Sequence, residues 1–416
     1  MPVLNAKANQ NADVLLRVFS EILNGTSEHN AYFYFSDGYF SHDHAKREGL
    51  EGPKQFLRLV NAVKSIAPYI EYTIERCIGS DGLVSVIWRA AGVHRGLGAG
   101  VPPSNRQIEI DGLFVAKLVR GKIAESWGDL GLLRLLQSVG ATQANPQNLL
   151  DPSAGEVTPR VAGPLTGRPV VLIGGMACPG WMTWTAVTNR LTKTRPVINL
   201  DSIAIKYGFY NEALPQEYSV DLEIDGIRNA LVSLHQEGPF DLVGWSFGAT
   251  VALGLALQFP QLVRTLTLIE PSTTWVLSPC ERLSPVVVRY IEGTMADCSG
   301  DIDMARLGRR YRECKLLKPG RFKKNPSYYA YYAFREAFHN RPVLLQHQGD
   351  LEALRRMSTP TLLFQGTHSL PVYKVIMAAL RRNIPDCRLV ELPTGHAVFR
   401  DEADRFMACL EDFWDR

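Results

Sequence analysis

The chain has 416 residues, is 46% hydrophobic, and carries 45 basic against 42 acidic side chains. This length exceeds one ordinary domain and the apolar content suffices for packed cores, so a disordered or fibrous chain is excluded. The near balance of charge excludes a nucleic-acid stripe or a polybasic membrane patch as the organising feature, leaving a small molecule as the expected partner.

Residues 1–16 place Asn5, Lys7, Asn9, Gln10 and Asn11 where a secretory signal needs an apolar core. No later stretch stays apolar long enough to span a bilayer. The seven cysteines, Cys77, Cys178, Cys280, Cys298, Cys314, Cys387 and Cys409, are odd in number and never form a C-x-x-C pair, which reads as reduced thiols. A cytoplasmic protein is expected, with no membrane partner.

In chain order, Leu15, Val18, Phe19, Ile22 and Leu23 form the apolar face of a first helix that Gly25 closes, and a second helix runs from Pro53 to about residue 66. Strands are expected at 70–78, 83–91, 106–119 and 122–127, with turns at Asp81-Gly82 and Arg120-Gly121. Helices followed by an antiparallel meander suggest an α+β cone over residues 1–140, a curved sheet wrapped on helices.

Between 141 and 167 the periodicity lapses into Thr142-Gln143-Ala144-Asn145-Pro146-Gln147 and then Pro152-Ser153-Ala154-Gly155, which reads as an interdomain linker. Residues 168–416 alternate short apolar strands, at 169–173, 196–200, 240–243, 263–269, 361–365 and 388–392, with helical segments. That alternation implies right-handed crossovers and a mostly parallel sheet covered on both faces. A last helix presents Phe406, Met407, Leu410, Phe413 and Trp414 to that sheet. The stretch at about 271–357, which includes Tyr328, Tyr329, Tyr331 and Tyr332, interrupts the alternation and reads as a helical lid.

Between the third of these strands and a small-residue helix stands Gly244-Trp245-Ser246-Phe247-Gly248. A strand, a Gly-x-Ser-x-Gly turn and a helix hold the serine in a tight elbow with its Oγ free, so Ser246 is the candidate nucleophile. Trp181, Trp184, Trp245 and Trp275 can supply an apolar wall or belong to the core. The chain contains no metal cluster, phosphate loop or dinucleotide fingerprint, and Gly174-Gly175 lacks the spacing and acidic residue of the last. No cofactor and no metal are implied.

Two resemblances organise these observations. Gly92-Val93-His94-Arg95-Gly96, Gly100-Val101-Pro102-Pro103 and the segment from Gly121 to Asp129, in the helix-then-meander order, resemble the SnoaL-like polyketide cyclase family over about residues 8–140. The resemblance implies a cone with a central pocket, with His94 and Asp129 as pocket candidates and His42 and His44 near the mouth. It also implies a homodimer through the N-terminal domain. Such cones either catalyse ring closure by acid/base chemistry or serve only as binding or dimerisation modules.

Residues 168–416 resemble the α/β-hydrolase family. The likeness implies oxyanion donors at the N–H groups of Met176, after the first strand, and of Phe247, just past the nucleophile. It makes His396, in Leu392-Pro393-Thr394-Gly395-His396, the general base. The third member is expected where a Gly-x-x-Asp-like segment follows the strand after the lid, but here that segment reads Gly366-Thr367-His368-Ser369 and holds no carboxylate. Glu270, at the end of the preceding strand, is the expected acid, with Asp201 the alternative; His368 is a loop residue able to line the site. A serine at the elbow disfavours the carboxylate chemistry of haloalkane dehalogenases and epoxide hydrolases. The expectation is a serine hydrolase that forms an acyl-enzyme on Ser246 from an ester, lactone or thioester of a polyketide-like small molecule. The alternative is a non-hydrolytic cyclase or acyl-transferring ring closer that uses the same Ser–His pair.

Overall fold

In the computed structural model, the described residues are 6–25, 30–42, 52–80, 82–96, 104–141, 159–164, 167–175, 180–210, 214–234, 238–298 and 343–415. Several expectations lie outside them: His44, Met176, the side chain of Trp181, the tyrosine-rich run, most of the linker, and residues 299–342 of the lid. The chain divides into two compact units, Met1–Ala162 and Gly163–Arg416.

The first unit is built on five strands, β1 Phe35–Ser41, β2 Glu71–Ser80, β3 Leu83–Val93, β4 Gln107–Val119 and β5 Lys122–Trp127, in the order β1-β5-β4-β3-β2. Strands β2 to β5 are the expected antiparallel meander, and β1 is an addition, paired parallel to β5 at the edge. Its sequence, with Asp37-Gly38 at the centre, carries a turn signal that tertiary pairing overrides. Because successive side chains alternate, one face of the sheet is apolar: Val84, Val86, Trp88 and Ala90 of β3 and Phe114, Ala116 and Leu118 of β4 are buried. The first helix, Ala6–Arg17, widens into a π-type turn over Val18–Leu23 and buries the expected face. Its Phe19 meets Tyr72 and Phe114 edge-on, and Phe56 of the helix Lys54–Ile66 meets Phe114 and stacks on Phe35. The centre of this unit is therefore an aromatic core.

In the second unit β6 Val170–Ile173, β7 Val197–Leu200, β8 Phe240–Trp245, β9 Val263–Ile269, β10 Thr361–Gly366 and β11 Cys387–Leu392 lie in the order β11-β10-β9-β8-β6-β7. Each neighbouring pair with a recorded register is parallel. Parallel neighbours need crossovers, and the helices Thr185–Leu191, Val220–Ser233, Phe247–Gln258 and Pro371–Asn383 supply them. Phe247–Gln258 is apolar almost all round and almost wholly buried, as a central helix must be. The C-terminal helix Ala403–Trp414 docks Phe406, Met407, Leu410, Phe413 and Trp414 into a core shared with Trp184, Phe364 and Phe399. The described part of the expected lid is helical, including Pro279–Arg282 and Pro285–Cys298.

Strand order reverses between β6 and β8. In open parallel sheets, ligands bind beyond the carboxyl ends of the strands at such a reversal, because the loops there part in opposite directions and leave a crevice. Gly174-Gly175 follows β6 and Ser246 follows β8, so the reversal falls at the serine elbow. Among the described residues no helix is long and apolar enough to cross a membrane.

Candidate active site

Ser246 stands between the end of β8 and the start of the helix Phe247–Gln258, with φ 56° and ψ −118°. L-residues rarely occupy that region, and strain of this kind persists only where neighbours enforce it. The Ser246 N–H donates to the Ile269 carbonyl at 2.9 Å, and its carbonyl accepts from the N–H groups of Ala249 and Thr250. The flanking glycines are required by contact: a Cβ on Gly244 would stand 2.5 Å from the Gly248 oxygen, and one on Gly248 only 2.2 Å from the Gly174 oxygen. Strand, elbow and the end of β6 thus pack backbone on backbone. Phe247 is the first residue of its helix, so its N–H has no partner within the helix and points from the positive end of the helix dipole.

Glu270 follows β9 directly. In the sheet Ile269 is paired with Trp245 on one side and Phe364 on the other, so residues 246 and 270 leave adjacent strands at the same edge. Glu270 has φ 44°, again in the left-handed region, and its side chain is fully buried. A buried carboxylate must be paired and hydrogen-bonded. One oxygen, Oε1, accepts the Gly366 N–H at 2.7 Å; the other, Oε2, accepts the Ser369 hydroxyl at 2.6 Å and lies 2.5 Å from His396 Nδ1.

His396 lies just beyond β11, 3% exposed. Three contacts fix it: Nδ1 on Glu270, its carbonyl accepting the Trp245 indole N–H at 2.8 Å, and the Tyr373 ring stacked at 4.6 Å and 20°. A carboxylate can only accept, so it selects the tautomer with hydrogen on Nδ1 and leaves the Nε2 lone pair to act as a base.

The other expected residues fall as follows. Asp201 Oδ1 accepts the Gly180 N–H at 2.6 Å and so shapes the loop after β7, whereas Glu270 is the carboxylate on His396. His368 is exposed, and its N–H donates to the Thr394 carbonyl. Trp245 is buried beside His396 and Phe399. In the first unit, His94 is fully buried with Nδ1 accepting the Ser104 N–H at 3.3 Å, and burial lowers its pKa below the usual imidazole value. The Asp129 carboxylate accepts the N–H groups of Gly131 and Leu133, at 2.9 and 3.1 Å, which shapes the turn into the helix Leu132–Ser138. His94 and Asp129 thus engage different partners. His42 stacks on Trp127 at 4.4 Å and bonds Glu125 at 2.9 Å on the opposite face of the sheet from the aromatic core. Among the described residues no three His, Cys, Asp or Glu side chains gather to hold a metal ion.

Sequence reasoning did not single out Ser369 or Tyr373. Ser369 stands at the fourth position of the Gly-x-x-Asp-like segment, and that position was the available signal. Tyr373 has no local signature, since its stacking depends on where β11 ends.

Residues 170–408 match the family model of the alpha/beta hydrolase family. The chain belongs to the alpha/beta hydrolase family. Residues 13–138 of the same chain match the SnoaL-like polyketide cyclase model, giving a two-domain architecture. The alpha/beta hydrolase chain is 36% identical to a 2-hydroxymuconate semialdehyde hydrolase of Pseudomonas sp. over 25% of its own length and 36% of the relative. It thus spans about a third of that enzyme. It is 23% identical to the pimeloyl-[acyl-carrier protein] methyl ester esterase of Nitrosomonas europaea over 51% of itself and 87% of the relative. Among solved structures, an esterase of Exiguobacterium antarcticum is 16% identical, with TM-score 0.49, over 62% of this chain and 96% of that one.

Proposed function

We propose that the protein is a serine hydrolase whose Ser246, His396 and Glu270 cleave an ester, lactone or thioester of a polyketide-like small molecule. The observation that carries the reading is the 2.5 Å contact between His396 Nδ1 and Glu270 Oε2 at the strand edge that also bears the Ser246 elbow. Ser246 Oγ attacks the acyl carbon while His396 Nε2 takes its proton. The Phe247 N–H and, in this reading, that of Met176 receive the oxyanion. Collapse expels the alcohol or thiol, which leaves with the proton from His396, and the acyl-enzyme remains on Ser246. Water then repeats the sequence, restoring the serine and releasing the acid. Glu270 keeps the imidazole in the reactive tautomer and stabilises the imidazolium formed in each step. The relatives' names, an esterase of an acyl-carrier-protein conjugate and a hydrolase of a semialdehyde, support acyl or carbonyl substrates. Turnover of an activated ester, abolished in Ser246→Ala with the fold intact, tests the reading; unchanged turnover overturns it.

The match of residues 13–138 to polyketide cyclases favours a second reading, in which the acyl group passes to a hydroxyl or carbanion of its own chain and closes a ring. Product mass separates the two: hydrolysis adds one water and cyclisation adds none.

We infer that the first unit serves as a dimerisation module. Its core aromatics pack on one another, its Asp129 carboxylate is engaged by the Gly131 and Leu133 N–H groups, and the opposite face of its sheet exposes Leu83, Ile87, Leu113 and Val119. Arg89–Glu75 and Lys117–Glu125 pairs border those apolar side chains and supply both signs of charge. Leu113→Arg in the full chain should convert a dimer to a monomer in sedimentation while ester turnover persists. A wild-type chain that sediments as a monomer overturns this assignment.

A further inference from the structure

The imidazole of His396 offers two nitrogen edges and two faces. Glu270 takes the Nδ1 edge, and Nε2 is the edge left for the serine. One face is covered by the Tyr373 ring, whose centroid lies 4.6 Å from that of the imidazole with the planes 20° apart. Trp245 meets the imidazole at 5.4 Å and 46°, tilted rather than stacked, and its indole N–H is engaged by the His396 carbonyl. Tyr373 is the third residue of the helix Pro371–Asn383, and its N–H donates to the Leu370 carbonyl. Tyr290 of the lid helix Pro285–Cys298 meets the Tyr373 ring at 6.4 Å and 60°. Arg382, on the same helix as Tyr373, pairs with Glu281 of the lid at 2.6 Å. The Tyr373 ring thus touches both the lid helix and the base. We propose that Tyr373 is a positioning residue acting through His396: its ring face fixes the plane of the imidazole and stabilises the positive charge gained when the imidazole takes the Ser246 proton. The proposal rests on the Ser246, His396 and Glu270 reading above.

A neutral imidazole gains little from an aromatic face and an imidazolium much more, because the ring quadrupole presents negative potential to a cation within about 6 Å of its centroid. The observed 4.6 Å lies inside that range. His396 is 3% exposed and Tyr373 5%, so little water screens the contact. An interaction that strengthens only as the proton arrives lowers the barrier and leaves substrate binding alone. Glu270 stabilises the same charge from one atom in the imidazole plane. Tyr373 acts on the face, which no hydrogen bond reaches. Acylation and deacylation both pass a proton through His396, so the effect falls on kcat whichever step is slower.

The test measures kcat and KM for an activated ester in the full chain carrying Tyr373→Phe, Tyr373→Leu, or mono-, di- or trifluorinated phenylalanine at position 373. Phenylalanine keeps the ring face, so kcat should stay within about threefold of wild type, whereas leucine fills the space without a quadrupole and should lower kcat about tenfold with KM nearly unchanged. Fluorine withdraws charge from the ring face and leaves its shape almost intact. The logarithm of kcat should therefore fall in steps with fluorine number, to about tenfold below Tyr373→Phe for the trifluorinated ring, while the thermal midpoint holds. A packing role alone would leave that series flat, and a flat series overturns the proposal even if Tyr373→Leu fails to fold. A loss in Tyr373→Phe as large as that in Tyr373→Leu also overturns it, since the hydroxyl rather than the face would then be at work. Should His396→Ala turn over at the wild-type rate, the reading of the base fails and this proposal with it, an outcome that variant reads separately.

Discussion

The Glu270 carboxylate and the His396 imidazole lie 2.5 Å apart, although 126 residues separate them in the chain. Parallel register does this: β9 pairs with β10 and β10 with β11, so the three strands end at one edge and their following loops converge. Glu270→Gln keeps the shape but turns an acceptor into a donor wherever its amide nitrogen faces Nδ1, which selects the unreactive tautomer. A fall in kcat of about ten-thousandfold is expected, with little change in thermal midpoint. Steady-state kinetics check it, and a near-wild-type rate moves the acid to another residue.

Asp201→Asn provides the contrast. Its carboxylate holds the Gly180 N–H, so the variant should loosen the loop after β7 and lower kcat far less than Glu270→Gln does. Equal losses in the two variants would contradict the division of roles.

The elbow makes a steric prediction. A methyl on Gly248 would stand 2.2 Å from the Gly174 oxygen and 2.6 Å from that of Ile173, both backbone atoms at the end of β6. Gly248→Ala is expected to cost more than about 2 kcal/mol, through backbone displacement rather than local strain. Gly293, inside the helix Pro285–Cys298, has no atom within 4 Å of an added Cβ. Gly293→Ala should therefore gain about 0.5 to 1 kcal/mol of helix propensity. Urea unfolding midpoints of the two variants, moving in opposite directions, check the pair.

The second unit also holds a fully buried Glu223, which accepts the N–H groups of Ile203 and Ala204 and the Tyr218 hydroxyl at 2.8 to 2.9 Å. Burial outweighs these donors and pushes its carboxyl up from 4.5 to about 7. Since the folded value exceeds the unfolded one, the native state holds the proton more tightly, and stability from this group is complete below pH 4.5 and lost as pH rises through 7. The loss amounts to at most about 3 kcal/mol. Glu223→Gln removes the ionisation, so its advantage over wild type should grow between pH 5 and pH 8; parallel urea midpoints across that range would contradict the shift.

Much of this was legible in the chain because it is local. The six strands of the second unit announce themselves as short apolar runs, and Gly244-Trp245-Ser246-Phe247-Gly248 states the elbow through the glycines that backbone contact demands. Glu270 was legible only as one of two carboxylates at strand ends, since spacing does not say which loop folds toward His396. Strand β1 was hidden by Asp37-Gly38, because its pairing with β5 is made by residues about 85 positions away and not by its own propensity. Ser369 and Tyr373 were hidden for the same reason: a serine hydroxyl or a tyrosine ring acquires a role only through the partner that tertiary structure sets beside it.

The most direct test of the central claim is intact-protein and peptide mass spectrometry after exposure to a fluorophosphonate, which phosphonylates a serine only when a neighbouring base has activated it. The account predicts one adduct per chain, on Ser246, formed rapidly in wild type, far more slowly in His396→Ala, and absent in Ser246→Ala. Labelling at another residue, or an adduct on Ser246 whose rate ignores the loss of His396, would contradict it.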